Sequence, residues 1–304
     1  MSHLNNKAKG LILAITGASL WGASGAAVQF LFRNPSINEY WLVGLRLLGA
    51  GLLLVVYSLV TNYRKIKLLF SSWRRIWYLI IYSFVGMGAS QLAYYVAVKY
   101  SNAPTATVIQ YLAPVFIISY LALRTRSLPR RIDVISIIIA LIGTLLLVTN
   151  GHLNQLALSP LALTWGLLAA VAEAINTIMP SQLFRDFGTI TIVGWSMLIA
   201  GLAFLPLYWT MPTPVMNTTD ILMILFIIIF GTLLAYTLYL ASINFIAAST
   251  TGMLGAFEPL IATLLAVFFL STPFNLLDWL GSGLIILATL LQAWPNEVKT
   301  IHQK

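Results

Sequence analysis

The stretch 132–149, IDVISIIIALIGTLLLVT, decides the fold class. After Asp133 it holds no charge, and Ser136 and Thr144 alone interrupt the apolar run from Val134 to Val148. Coiled as a helix it extends about 27 Å, close to the thickness of a bilayer's hydrocarbon core. The stretch 275–294 repeats the character, with only Ser282, Thr289 and a late Gln292 as polar side chains between Leu280 and its end. Segments of this kind are stable in lipid because a helix satisfies its own backbone.

The rest of the chain follows suit. Ten candidate spans run approximately over 11–32, 39–60, 76–98, 103–123, 132–149, 160–183, 189–209, 220–243, 247–270 and 275–294. The 304 residues are 60% hydrophobic and 8% charged, with a mean hydropathy of +0.90. A soluble domain carries about 25% charged residues, so a water-facing surface cannot be built from this composition. Soluble enzymes, nucleic-acid binders and disordered proteins are excluded on this ground. No cysteine is present, which removes disulfides, thiolate catalysis and thiolate metal sites. The expected class is an all-α polytopic membrane protein with short loops.

Lys7 and Lys9 before an apolar run, with the small residues Ala23 to Ala27 after it, resemble a signal peptide. The apolar character continues to Phe32, however, and the segment has a partner later in the chain. It is expected to stay as the first span.

The bases set the orientation. With the amino terminus inside and ten spans, 14 of the 17 bases fall inside: Lys7, Lys9, Arg64, Lys65, Lys67, Arg74, Arg75, Arg124, Arg126, Arg130, Arg131, Arg185, Lys299 and Lys304. Arg33 and Lys99 fall outside, and Arg46 lies within a span. Both termini are expected in the cytoplasm, and the net charge of +9 is explained by topology and anionic headgroups, with no nucleic-acid partner. A multi-pass protein of the plasma membrane is the expected placement.

The two halves, 1–150 and 151–304, resemble each other. Trp21-Gly22 recurs as Trp165-Gly166 at an offset of 144, which also pairs Gln29 with Glu173. Phe32-Arg33 recurs as Phe184-Arg185, and Val43-Gly44 and Gly51-Leu52 recur as Val193-Gly194 and Gly201-Leu202. An offset of 145 pairs Gly86 with Gly231, Tyr94 with Tyr239, Pro114 with Pro259 and Asp133 with Asp278. Each match is weak; their conserved order carries the inference. Five spans per half is an odd number, so the second half enters from the opposite face. Inverted repeats are the architecture of many secondary transporters, with the substrate held near the midplane.

With Leu20-Trp21-Gly22, Gly44-Leu45-Arg46 and Ala256-Phe257-Glu258-Pro259-Leu260 in place, the chain resembles a ten-helix permease of the drug/metabolite transporter superfamily, of the EamA type. The resemblance spans nearly the whole chain as two five-helix repeats. It implies that spans 1–4 and 6–9 surround a cavity, with spans 5 and 10 peripheral. One departure is that Leu123-Arg124-Thr125-Arg126 stands where the family often carries an acid after the fourth span.

Three charges fall inside spans, where each costs about 2.5–3.5 kcal/mol on insertion scales: Arg46, Glu173 and Glu258. Glu173 shares a helix face with Trp165, Ala169, Asn176 and Pro180. It reads either as a cavity carboxylate that touches substrate or takes a proton, or as a structural acid paired with Arg46 or a tyrosine. Glu258 precedes Pro259 and reads as a gating or coupling acid beside a hinge, or as an acid that satisfies backbone at the kink; Pro114 is its repeat-related kink. Arg46 reads as an anchor for a substrate carboxylate, or as a structural base that pairs with one of the two acids or snorkels outward. The remaining candidates for substrate contact are Trp21, Gln29, Gln91, Tyr94, Gln110, Tyr111, Trp165, Asn176, Tyr236 and Tyr239, with Ser90 and Tyr95 beside them. For each aromatic, packing is the competing reading.

The expected function is secondary transport, as an exporter, of a small organic metabolite such as an amino acid or amphipathic compound. The resemblance implies this substrate class. Alternating access around a midplane site is the expected mechanism, with proton coupling through Glu173 or Glu258 as one option. No cofactor and no metal are expected. An intramembrane enzyme is the alternative from another class, but His3, His152 and His302 all lie outside the spans and no nucleophile–base–acid set exists. A receptor or scaffold lacks any loop large enough to signal, and no phosphate loop of the Gly-x-x-x-x-Gly-Lys type is present.

Overall fold

The computed structural model describes residues 2–126, 128–149 and 158–293. His152, Trp294, Lys299, His302 and Lys304 lie outside the described residues, as do the side chains of His3 and Gln292. The long helices are α1 (Ser2–Leu31), α2 (Glu39–Leu69), α3 (Trp73–Tyr100), α4 (Ala103–Thr125), α5 (Arg131–Thr149), α6 (Pro160–Ile178), α7 (Thr189–Thr210), α8 (Thr218–Ser242), α9 (Thr250–Leu270) and α10 (Leu276–Ala293). The first nine are long and apolar enough to cross a bilayer, and α10 is a shorter apolar helix. No strand occurs among the described residues. The chain is therefore an all-α, multi-pass membrane protein. Its exposed side chains on α5, among them Ile135, Ile138, Leu141 and Leu145, are those of a lipid-facing surface.

Local chemistry sets the helix boundaries. Asn102 is extended and accepts from the Thr105 amide, with Pro104 in the first turn, which makes the tight junction between α3 and α4. Ser159 caps α6 ahead of Pro160, and Asn217 and Asp220 form a capping box on α8. Three boundaries differ from expectation by five residues or more. The first helix already begins at Ser2, nine residues before the expected span. The sixth span ends at Ile178 rather than 183, because Pro180 closes it and a separate short helix, Ser181–Phe187, follows. The second span continues to Leu69 after a bend at Asn62 (φ −135°, ψ 28°), its basic end being soluble enough to leave the bilayer as helix.

Several irregularities recur at near-constant offset. Both α3 and α8 widen into a π-turn, over Ser83–Gly88 and Ile229–Leu234. Both α4 and α9 break near their middles, at Tyr111–Leu112 and Gly255–Ala256, just before Pro114 and Pro259. Each proline lacks an amide hydrogen, so the carbonyl four residues earlier loses its regular partner. Both helices also end on a left-handed residue, Arg126 (φ 50°) and Ser271 (φ 51°).

Small residues permit the closest helix crossings. On α2, a Cβ at Gly51 would lie 2.5 Å from the Leu198 amide nitrogen of α7, while a Cβ at Gly201 of α7 would lie 2.8 Å from the Leu48 nitrogen. Helices α5 and α10 cross at Gly143 and Gly281 in the same way. Helix α1 is wedged against α8 and α9, where Gly17 faces the Ala235 carbonyl and Gly22 the Glu258 carbonyl.

Candidate functional site

The close crossings leave a cavity of about 320 Å³ between the helices. It falls within the range of small-molecule sites, about 300–1,000 Å³. Trp21, Arg46, Gln91, Tyr94, Gln110, Tyr111, Pro114, Glu173, Tyr236 and Glu258 line it, so most of the candidates chosen from sequence meet in one place. They come from α1, α2, α3, α4, α6, α8 and α9. Ser24, Gly25, Ala113, Ile117, Thr177 and Thr289 complete the lining. As single small or weakly polar residues in apolar helices, these carried no signal in the sequence. Thr289 belongs to α10, so that peripheral helix also reaches the cavity.

Arg46 is only 7% exposed. Its Nε donates to Thr232 Oγ1 at 3.1 Å and its Nη1 to Tyr95 Oη at 3.1 Å. The Tyr95 ring lies 5.5 Å from the guanidinium carbon, a cation–π distance. Neither Glu173 nor Glu258 forms an ion pair with it: the two ion pairs among the described residues are Lys99–Glu39 and Arg130–Asp133, both near helix ends. The structural alternative in which Arg46 pairs with one of the acids, or snorkels outward, is therefore corrected. Two neutral hydroxyls already occupy its Nε and Nη1.

The acids have neutral partners too. Glu173 Oε2 accepts from Ser90 Oγ at 2.6 Å, and Asn176 Nδ2 lies at 3.4 Å. Glu258 Oε2 accepts from Tyr111 Oη at 3.2 Å. The same hydroxyl donates at 2.6 Å to the Gly255 carbonyl, the one that Pro259 deprives of its helical donor. Tyr111 thus joins the break in α4 to the break in α9. Trp21 packs on Tyr236 (ring centroids 4.9 Å apart) and on Tyr239 (4.8 Å), forming an aromatic wall. Two polar atoms facing this region, Ser24 Oγ and Gln91 Oε1, are buried without a hydrogen-bond partner.

Seven candidates sit outside the lining: Ser90 and Tyr95, which hold Glu173 and Arg46, and Gln29, Trp165, Asn176, Tyr239 and Pro259. Gln29 accepts from the Ala103 amide at 2.8 Å and donates to Thr272 Oγ1 at 2.7 Å, tying α1 to the start of α4 and the end of α9. Arg33 donates to the Leu270 carbonyl, and Asn34 to Asp220 Oδ2 at 3.0 Å, so this end of the bundle is cross-linked. Asn176 holds Tyr82 Oη at 2.8 Å as well as approaching Glu173. Trp165 packs against the main apolar core, and Tyr239 Oη donates to the Thr251 carbonyl at 2.9 Å. Pro259 is buried in the α9 bend. At the other end the cavity reaches Thr177, one residue from the end of α6, and Thr289, four from the end of α10. Thr232, which holds Arg46, was missed in the sequence, where it is a lone hydroxyl in a run of aliphatic residues.

A bundle of membrane helices around a solute-sized cavity, walled by aromatics and holding buried charge of both signs, defines a polytopic protein of the solute-handling class. Residues 8–149 and 160–294 match the EamA-like transporter family, and the chain belongs to that family. It is 37% identical over 284 residues to the uncharacterized inner membrane transporter YicL of Salmonella typhimurium, covering 93% of this chain and 94% of that protein. It is 24% identical over 294 residues to the uncharacterized transporter YwfM of Bacillus subtilis, covering 95% of each. A solved crystal structure with 18% sequence identity superposes with a TM-score of 0.62 over 93% of this chain and 96% of that one, which shows the shared fold.

Proposed function

We propose that this protein is a secondary transporter of small dipolar organic solutes, of amino-acid type, that works by alternating access. One observation carries the reading: Arg46, Glu173 and Glu258 line a single cavity without neutralising one another. Unpaired buried charges are costly, so a site of this kind is built for a ligand that supplies the missing countercharges. A zwitterion does so with no net charge. Its carboxylate suits Arg46, and its ammonium suits Glu173 and Glu258. The wall of Trp21 and Tyr236 suits an apolar or aromatic side group.

The mechanism rests on a pair of inverted five-helix repeats, 1–150 and 151–304. The paired π-turns, the paired breaks of α4 and α9 and the left-handed ends at Arg126 and Ser271 support this division. With both termini on the basic, cytoplasmic face of the plasma membrane, the end tied by Gln29, Arg33 and Asn34 is external and closed. The end near Thr177 and Thr289 is internal. Such a state is ready to load from the cytoplasm, which favours export. Glu173 and Glu258 are the groups through which a proton would couple to transport.

The test is flux. Purified protein in liposomes should exchange radiolabelled phenylalanine or a related zwitterion, and Arg46→Ala should reduce exchange at least tenfold, the cost of losing one charge-assisted contact being about 1.5–3 kcal/mol. If no member of a broad amino-acid panel moves under any gradient, the reading fails.

A further inference from the structure

Arg46 is nine-tenths buried, lines the cavity and is held by two neutral side chains rather than by an acid. How it is held leaves one group over. Nε is used by Thr232 and Nη1 by Tyr95, and among the described residues no hydrogen bond is made by Nη2. An acidic partner would have quenched the charge and competed with an incoming anion. Hydroxyls orient the guanidinium and leave its charge intact.

The position of Thr232 depends on an irregular turn. In a regular α-helix a threonine hydroxyl reaches back three or four residues. Here Thr232 Oγ1 donates to the Ile227 carbonyl at 2.8 Å, five residues back, because Ile229–Leu234 is a π-turn. With its proton spent on Ile227, the hydroxyl presents a lone pair to Arg46 Nε. The turn is pressed from the other side by α1, where a Cβ on Gly231 would come within 2.5 Å of Ser24 Oγ. Single π-turns inside α-helices are rare and gather at functional sites. Tyr95 completes the clamp from α3. It is fully buried, accepts from Nη1, and its ring is fixed edge-on by Phe32 and Tyr94.

We infer that Thr232 and Tyr95 are positioning residues that aim the Nη2 edge of Arg46 into the cavity, and that this clamp sets selectivity for solutes bearing a carboxylate. The inference rests on the transport reading above and deepens it. An arginine stem carries about 2 kcal/mol of rotamer entropy, which a clamp removes before the ligand arrives.

Phenylalanine and phenethylamine test it, since they share ring and ammonium and differ in the carboxylate. Uptake of each is measured in proteoliposomes with the wild type, Thr232→Val, Thr232→Ser and Tyr95→Phe. The wild type should prefer phenylalanine. Thr232→Val and Tyr95→Phe should each lower that preference about tenfold, the worth of a hydrogen bond to a charged group. The loss should fall on the KM for phenylalanine, with phenethylamine unchanged, and Thr232→Ser should keep the preference. If both probes decline together in Thr232→Val and Tyr95→Phe, the residues serve only packing and the proposal is overturned. It is overturned equally if folded Tyr95→Phe discriminates as the wild type does, whatever becomes of Thr232→Val. A wild type that moves both probes without preference removes the carboxylate role of Arg46, and the clamp with it. A wild type that moves neither overturns the transport reading for this solute class, and the inference falls with that reading rather than through the variants.

Discussion

Substitution of Gly51 by alanine tests whether the α2–α7 crossing sets the depth of Arg46, five residues earlier on the same helix. A Cβ at Gly51 would stand 2.5 Å from the Leu198 nitrogen and 2.9 Å from the Leu198 Cα, against an ordinary contact that begins at 3.4 Å. The shortfall is 0.9 Å at the nitrogen, and both obstructing atoms are backbone, so no side-chain rotation relieves it. The helices must separate by roughly that amount, and overpacking of this order costs about 1–3 kcal/mol. Alanine's better helix propensity returns about 0.5–1 kcal/mol, so the middle of the two ranges leaves a net loss of about 1 kcal/mol. For a large domain this lowers the melting temperature by about 2–4 °C. The control is Gly252→Ala in α9, where a Cβ meets nothing within 4 Å. There only the propensity gain applies, and the melting temperature should hold or rise by a few degrees, about 1–3 °C. Both are read by fluorescence-detected size-exclusion after heating in detergent, alongside exchange of a zwitterion. Gly51→Ala melting at or above the wild type would refute the close-crossing argument. Gly51→Ala that melts low yet exchanges at the wild-type rate would refute the link from that crossing to Arg46.

Three further outcomes follow from the same geometry. Glu173→Gln should abolish uptake driven by a pH gradient while leaving solute exchange intact, measured with and without the gradient; loss of both with retained folding removes Glu173 as the coupling acid. Tyr111→Phe should cost about 1 kcal/mol in thermal stability, because the Gly255 carbonyl loses its hydroxyl donor, and adding Pro259→Ala, which restores an amide donor, should recover part of it. For the Lys99–Glu39 pair, Lys99→Met should destabilise more than Glu39→Gln, since Glu39 is 8% exposed at its side chain and Lys99 37%; melting curves of the two variants decide the order.

The membrane class, the ten segments and the three scarce charges were legible in the residues, because each rests on composition within one stretch. A run such as 134–148 must be helical in lipid whatever surrounds it. The shared offset of Pro114 and Pro259 likewise announced two bends that the backbone carries out at Tyr111–Leu112 and Gly255–Ala256.

What the charges do to each other was not legible. Arg46 and Glu258 are separated by more than two hundred residues, and pairing between them was as consistent with the residues as its absence. Only the packed bundle places Thr232 and Tyr95 on the guanidinium ahead of any acid. The π-turn that brings Thr232 there has no sequence mark, since its residues, IFGTLL, are as apolar as their neighbours. Gln29, matched by repeat to Glu173, instead fastens α1 to α4 and α9, away from the cavity. The physical reason is common to all of these. Hydropathy and helix chemistry act over one or two turns and are written in consecutive residues. The partner of a buried polar group is chosen by which helix faces meet, and that is settled by close crossings at glycines such as Gly51, Gly201 and Gly22, across the whole length of the chain.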